Sequence, residues 1–183
     1  MSKRVTVFFA NGFEEIEGLT VVDLLRRAKV EVEMVSIEDS LVVTGSHKIT
    51  VTTDVLLKDM NKETDVLVLP GGMPGTRNLQ KCEPLKDIIL EKAKENIYLA
   101  AICAAPLVYG QLGLLKGKRA TCYPGFEEEL LEANTTLNPV EVDGHFITSR
   151  GLGTAVEFAL TIIEVLLGKE ESERIAKSII KMQ

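Results

Sequence analysis

The sequence has no excess of basic residues: 21 Lys and Arg stand against 27 Asp and Glu, a net charge of −6. No bulk positive field therefore draws it to nucleic acid or anionic lipid. It has no apolar run near the ~20 residues a membrane span needs; stretches such as 66–69 and 99–102 are far shorter. The opening Met1-Ser-Lys-Arg lacks the apolar core and small-residue cleavage site of a signal peptide. Cysteine is scarce, with only Cys82, Cys103 and Cys122, and no CxxC pair occurs. The two histidines, His47 and His145, are not spaced near the cysteines as metal ligands. No metal, a cytoplasmic location and, for Cys82 and Cys122, reduced thiols are the expectation. Neither GxGxxG nor GxxxxGK[ST] is present, so the two glycine-rich phosphate cradles are missing.

What is present is the composition of a globular chain, 45% hydrophobic and 26% charged, which excludes a disordered or collagen-like protein. With 183 residues, one domain spanning 1–183 is expected, burying roughly two-thirds of its unfolded surface. Residues 5–9 form a β-branched and aromatic run, broken by Asn11-Gly12. Ile16, Leu19, Val22 and Leu25 then recur at three-residue steps, predicting a helix over 14–28. Alternation predicts a strand over 30–37, and two β-rich runs around Thr44-Gly45-Ser46 predict a hairpin within 40–55.

The continuous apolar runs 65–69 and 97–102 suit central strands of a parallel sheet. Pro84 suits the first turn of a helix reaching about Asn96, and a further helical stretch follows Pro106 to about Leu112. Short strands are expected over 119–122, 140–143 and 146–149, then helices over 153–167 and 170–181. Strands alternating with helices predict an α/β domain with a mostly parallel sheet covered on both faces.

Ligands of such sheets bind beyond the carboxyl ends of the strands. Three turns fall there: 11–17, Pro70-Gly71-Gly72 and the turn at Cys103. Cys103 lies between an apolar strand and a helix start, as at a nucleophile elbow, with Ala101, Ala104 and Ala105 leaving room for a sharp turn. Helix-terminal amides would favour a thiolate there, although a buried structural cysteine is an equal reading of the local sequence. Gly71 and Gly72 could bring backbone N–H groups to a bound oxygen, or form a plain turn. Glu14, Glu15 and Glu17 are ordinary dipole partners of a helix start. Glu17, next to Ile16 on the core-leaning side, could turn inward, hold a proton and shuttle it.

Taken together, Gly12-Phe-Glu-Glu-Ile-Glu17, Val68-Leu-Pro-Gly-Gly72, Ala100-Ala-Ile-Cys-Ala104 and Thr148-Ser-Arg-Gly-Leu-Gly-Thr154 resemble the ThiJ/PfpI superfamily. The branch is that of the parkinsonism-associated protein deglycase and its bacterial relatives. The resemblance implies a flavodoxin-like three-layer α/β sandwich and a homodimer. It implies Cys103 as the reactive, oxidation-sensitive cysteine, Glu17 as the protonated glutamate beside it, and Gly72 and Ala104 as backbone oxyanion donors. It also implies cofactor-free glyoxalase or deglycase activity on small α-oxoaldehydes such as methylglyoxal, or action as a redox-responsive sensor or chaperone. Two positions depart from the family pattern: Tyr123-Pro124 stands where many relatives have histidine before proline, and Leu152 stands where proline is common. Without that histidine a peptidase or amidase reading ranks last, and His145, in an Asp-Gly turn, is expected in an exposed loop.

Overall fold

The computed structural model describes residues 2–95 and 97–181. The β-branched and aliphatic runs become strands β1 (Arg4–Phe9), β2 (Glu31–Ser36), β5 (Val55–Leu56), β6 (Val66–Leu69), β7 (Tyr98–Ile102), β10 (Val140–Asp143) and β11 (Phe146–Ser149). They form one seven-stranded sheet in the order β10-β11-β7-β6-β1-β2-β5. Only β10 runs antiparallel, on its hairpin partner β11; the other pairings are parallel.

Alternate residues of the central strands feed opposite faces, as a two-residue side-chain period requires. Val5, Val7, Phe9, Val66, Val68, Ala100 and Ile102 pack on one side, in a core completed by α1 (Glu15–Arg27), α5 (Ala155–Leu167) and α6 (Lys169–Ser178). Phe8, Leu67, Leu69, Leu99 and Ala101 face the other side, towards α2 (Gly75–Lys81), α3 (Glu83–Lys92) and α4 (Pro106–Gln111). The fold is the flavodoxin-like three-layer sandwich with a mostly parallel sheet. Each fully buried Leu, Ile or Phe contributes about 1.5–3 kcal/mol by leaving water, which is why both faces are covered.

Several elements differ from the sequence expectations. Helix α1 does not present Ile16 inward: Ile16 is 49% exposed, and Val21, Val22, Leu24 and Leu25 make the buried face. The hairpin forms as β3 (Val42–Thr44) against β4 (Thr50–Thr52), outside the main sheet. The stretch 119–122 yields only β8 (Arg119–Ala120), which pairs with β9 (Asn134–Thr135) away from the main sheet. Helix α2 has no sequence counterpart, because Gly75, Thr76 and Asn78 are weak helix formers and no side chain caps its start. Pro84 opens α3 as expected; the anticipated end at Asn96 lies outside the described residues. No helix of the described residues is long and apolar enough to cross a membrane.

Candidate active site

Strand β6 lies between β1 and β7. The turns leaving their carboxyl ends therefore converge, bringing together residues 17, 71–72 and 103–104. Cys103 follows the last residue of β7 with φ +65°, in the left-handed region. A side chain there costs roughly 1–2 kcal/mol, and the surroundings hold it in place. Its N–H donates to the Ser149 carbonyl at 2.9 Å, and its own carbonyl accepts from the Tyr123 N–H at 2.8 Å. Ala104 and Ala105 are buried behind it, so only small side chains fit the turn.

Glu17 reaches Cys103 from α1. The helix start is fixed by Glu14, whose Oε2 accepts from the Glu17 N–H at 2.8 Å, an N-cap that satisfies an otherwise unpaired amide. Glu17 is then 1% exposed. Its Oε2 accepts the Gly71 N–H at 2.9 Å, and its carboxyl lies beside Cys103, the two meeting over Gly71. A Cβ on Gly71 would stand 2.5 Å from both Glu17 Oε2 and Cys103 Cβ, so only glycine allows this approach. Gly72, at φ +90°, is equally constrained, since a Cβ there would lie 2.3 Å from the Glu14 nitrogen.

This geometry changes the expected oxyanion set. The Gly71 N–H is committed to Glu17 and positions the carboxyl instead of facing a substrate oxygen. The backbone amides of Gly72 and Ala104 act on the Cys103 thiol, pulling its pKa down against burial.

The electrostatics centre on one buried pair. Burial pushes the Glu17 carboxyl up to about 7; the Glu14 charge adds to this, and the thiol and the Gly71 amide pull against it. Burial and the neighbouring Glu17 charge push the Cys103 thiol up to about 12, against the pull of the Gly72 and Ala104 amides. The sequence expectation of a resting thiolate favoured by helix amides is thus corrected when Glu17 is ionised. Two negative charges this close and this dry are unfavourable together, so the thiol keeps its proton when Glu17 is ionised.

The remaining sequence candidates separate by location. Tyr123 stands beside the pair. A Cβ at Gly151 would lie 3.3 Å from its ring and 3.8 Å from Glu17 Oε1. The Tyr123 ring is half exposed and meets Phe126 edge-on at 6.5 Å. Leu152 is 52% exposed in a short turn over Leu152–Thr154. His145 lies in the turn between β10 and β11 as expected, but it is half-buried, with its ring edge-on to Tyr98 and its carbonyl accepting from the Leu99 N–H. That contact lies at the start of β7, the opposite end of the strand from Cys103, so His145 is remote from the site. Cys122 is buried, and burial pushes its thiol up to about 12; Cys82 is half-buried and raised for the same reason. All three cysteines are unpaired.

The sequence reading passed over the backbone groups of Ser149 and Tyr123 that fix Cys103, because main-chain partners across the sheet leave no side-chain signature. Glu14 as the cap three residues before Glu17 was legible in principle, since an acceptor at that spacing is an N-cap signal.

The same arrangement of strands and turns recurs in known proteins. Residues 3–165 match the DJ-1/PfpI family. Two Arabidopsis thaliana proteins, DJ-1 homologs B and A, are 40% and 38% identical over 96% of this chain, which spans only 41% and 46% of their own lengths. A protein of Caenorhabditis elegans named a glutathione-independent glyoxalase is 33% identical, covering 90% of this chain and 88% of that protein. The structure of oxidised Toxoplasma gondii DJ-1 superposes with a TM-score of 0.94 at 35% identity, over 98% of each chain. With the family matched over most of its length and the fold reproduced throughout, the chain belongs to the DJ-1/PfpI family.

Proposed function

We propose that the chain is a cysteine-dependent, cofactor-free glyoxalase or deglycase-like enzyme that converts small α-oxoaldehydes such as methylglyoxal into 2-hydroxy acids. The observation that carries this reading is the buried Glu17 carboxyl, held by the Gly71 N–H and set beside Cys103. A carboxyl brought to about 7 is matched to proton transfer near neutral pH. The similarity to the nematode glyoxalase supports the same substrate class.

In this reading the ionised Glu17 takes the thiol proton as Cys103 Sγ bonds to the aldehyde carbon. The aldehyde oxygen gains the negative charge, near the Gly72 and Ala104 N–H groups, and then receives the proton, giving a hemithioacetal. Glu17 next removes the hydrogen from that carbon, forming an enediolate, and returns that proton to the neighbouring former ketone carbon while the hydroxyl proton on the first carbon passes to the former ketone oxygen. The product is a thioester of the 2-hydroxy acid. Water breaks its C–S bond, releasing the acid and restoring the thiol. The substrate gains one water and undergoes internal oxidation and reduction, so no external oxidant or cofactor enters.

Methylglyoxal consumption with lactate detection, in the absence of glutathione, tests the proposal on wild type and Cys103→Ala side by side. Turnover that vanishes in the variant is the expected result; turnover unchanged by the substitution overturns the mechanism. A second reading, a sensor or chaperone acting through oxidation of Cys103, is favoured by the partial exposure of that cysteine at a strained turn whose backbone amides pull its pKa down. Selective peroxide modification of Cys103 without aldehyde turnover would favour that reading.

A further inference from the structure

The space beside the reactive pair has an aromatic wall. A Cβ built on Gly151 would lie 3.3 Å from Tyr123 Cδ2, 3.8 Å from Tyr123 Cε2 and 3.8 Å from Glu17 Oε1. No atom beyond the adjoining residues comes nearer, so the missing side chain leaves room for a carbon that touches ring and carboxyl together. The other carboxyl oxygen, Oε2, is held by the Gly71 N–H, which leaves Oε1 as the one bordering this space.

Both walls are fixed before any substrate arrives. The Gly151 N–H donates to Thr154 Oγ1 at 3.1 Å, and the Gly151 carbonyl accepts the Thr154 N–H at 2.8 Å. Ser149 Oγ and Thr154 Oγ1 meet at 2.7 Å, tying that turn to the end of β11. On the opposite side, the Tyr123 N–H is bound to the Cys103 carbonyl, and its ring rests edge-on against Phe126. The ring is nevertheless 50% exposed, and its hydroxyl makes no hydrogen bond among the described residues. An aromatic face left in water gains when an apolar group covers it, most of all a second ring.

The reaction decides which group arrives there. In the proposed aldehyde chemistry, on which this inference rests, Cys103 bonds to the aldehyde carbon and Glu17 returns a proton to the former ketone carbon. The substituent of the substrate hangs from that second carbon, so it is brought close to the Glu17 carboxyl. The space bordering Glu17 Oε1 is walled by Tyr123.

We infer that Tyr123 is a specificity-determining residue, and that the site prefers α-oxoaldehydes with an aryl group on the ketone carbon over those with methyl. The aryl group packs on the Tyr123 ring beside Gly151. Phenylglyoxal, the simplest such substrate, gains one water and becomes mandelate. Its aldehyde carbon is oxidised to the carboxylate and its ketone carbon is reduced to the alcohol, so no co-reactant besides water enters.

Steady-state kinetics on phenylglyoxal and methylglyoxal, without glutathione, read the ratio of the two kcat/KM values. Wild type should favour phenylglyoxal by at least about tenfold. Tyr123→Ala should lower that ratio at least about fivefold, whereas Tyr123→Phe, which keeps the ring, should hold it. 2-Hydroxyacetophenone and hydroxyacetone, the same ketones with the aldehyde reduced to an alcohol, probe the wall without turnover. NMR titration of wild type should find the aryl ketone bound at least about tenfold more tightly, and Tyr123→Ala should shrink the difference. That binding difference in a chain that turns over neither aldehyde would support the aryl wall while overturning the aldehyde reaction. Equal binding of the two ketones by wild type would overturn the inference. So would ratios unmoved by Tyr123→Ala in a chain with wild-type melting.

Discussion

The Gly71 N–H lies 2.9 Å from Glu17 Oε2, and the absence of a Cβ on Gly71 lets that carboxyl and the Cys103 side chain meet. One backbone amide thus fixes the acid, and the missing side chain makes room for the sulfur. Gly71→Ala should push Glu17 and Cys103 apart. The expected outcome is a loss of about 1–3 kcal/mol in stability from overpacking, with methylglyoxal turnover reduced by at least about a hundredfold. Denaturant unfolding and steady-state kinetics on the same preparation check both.

Glu17→Gln keeps an acceptor for the Gly71 amide and removes the transferable proton. A loss of about 10²–10⁴ in kcat is expected, with KM changed only a few-fold. Equal losses carried by KM alone would show that Glu17 binds substrate without moving protons.

The same carboxyl sets a stability slope with pH. Its folded value, raised to about 7, lies above the ordinary 4.5, so the unfolded chain gives up this proton first. Protonated Glu17 carries no penalty below about 4.5; stability falls as pH rises from there to about 7 and is level above. Relative to wild type, Glu17→Gln should therefore gain stability across that window, by up to about 3 kcal/mol. Urea unfolding of both proteins at intervals between these pH values measures the gain; parallel profiles would mean that Glu17 is already ionised at low pH in the folded chain.

The Tyr123 N–H holds the Cys103 carbonyl at 2.8 Å. Tyr123→His retains that backbone bond and adds an imidazole near the pair. If Glu17 is the proton carrier, kcat/KM should change by less than about tenfold. A rise of several orders of magnitude would show that this chain lacks a base its chemistry needs.

Cys103 is expected to react with peroxide ahead of Cys122, which is 1% exposed. Its greater access favours it. Peptide mass spectrometry after limited peroxide treatment should find the modification there first. Preferential oxidation of Cys122 would contradict the described burial.

The layered sheet was legible from residues 65–69 and 97–102, because runs buried on both faces must be apolar throughout. Cys103 was legible too, since a lone cysteine among alanines just past such a run marks a sharp turn at the sheet's carboxyl edge. The side on which α1 buries its residues was not. Ile16 and Glu17 differ by one position, a rotation of about 100° on a helix, and the structure turns the isoleucine out and the glutamate in. The Glu14 cap, the Gly71 amide and the Cys103 thiol together hold that carboxyl in place.

Local sequence by itself determined the strands, the hairpin and the elbow, because periodicity and turn chemistry act over a few residues. Tertiary structure alone decided that Glu17 meets Cys103, that Gly71 points its amide at the acid, that His145 sits at the far end of β7, and that His47 reaches Glu15. Each of these depends on which strand ends lie side by side in the sheet. That adjacency comes from burying both faces at once, a condition on the whole chain that no short stretch of it contains.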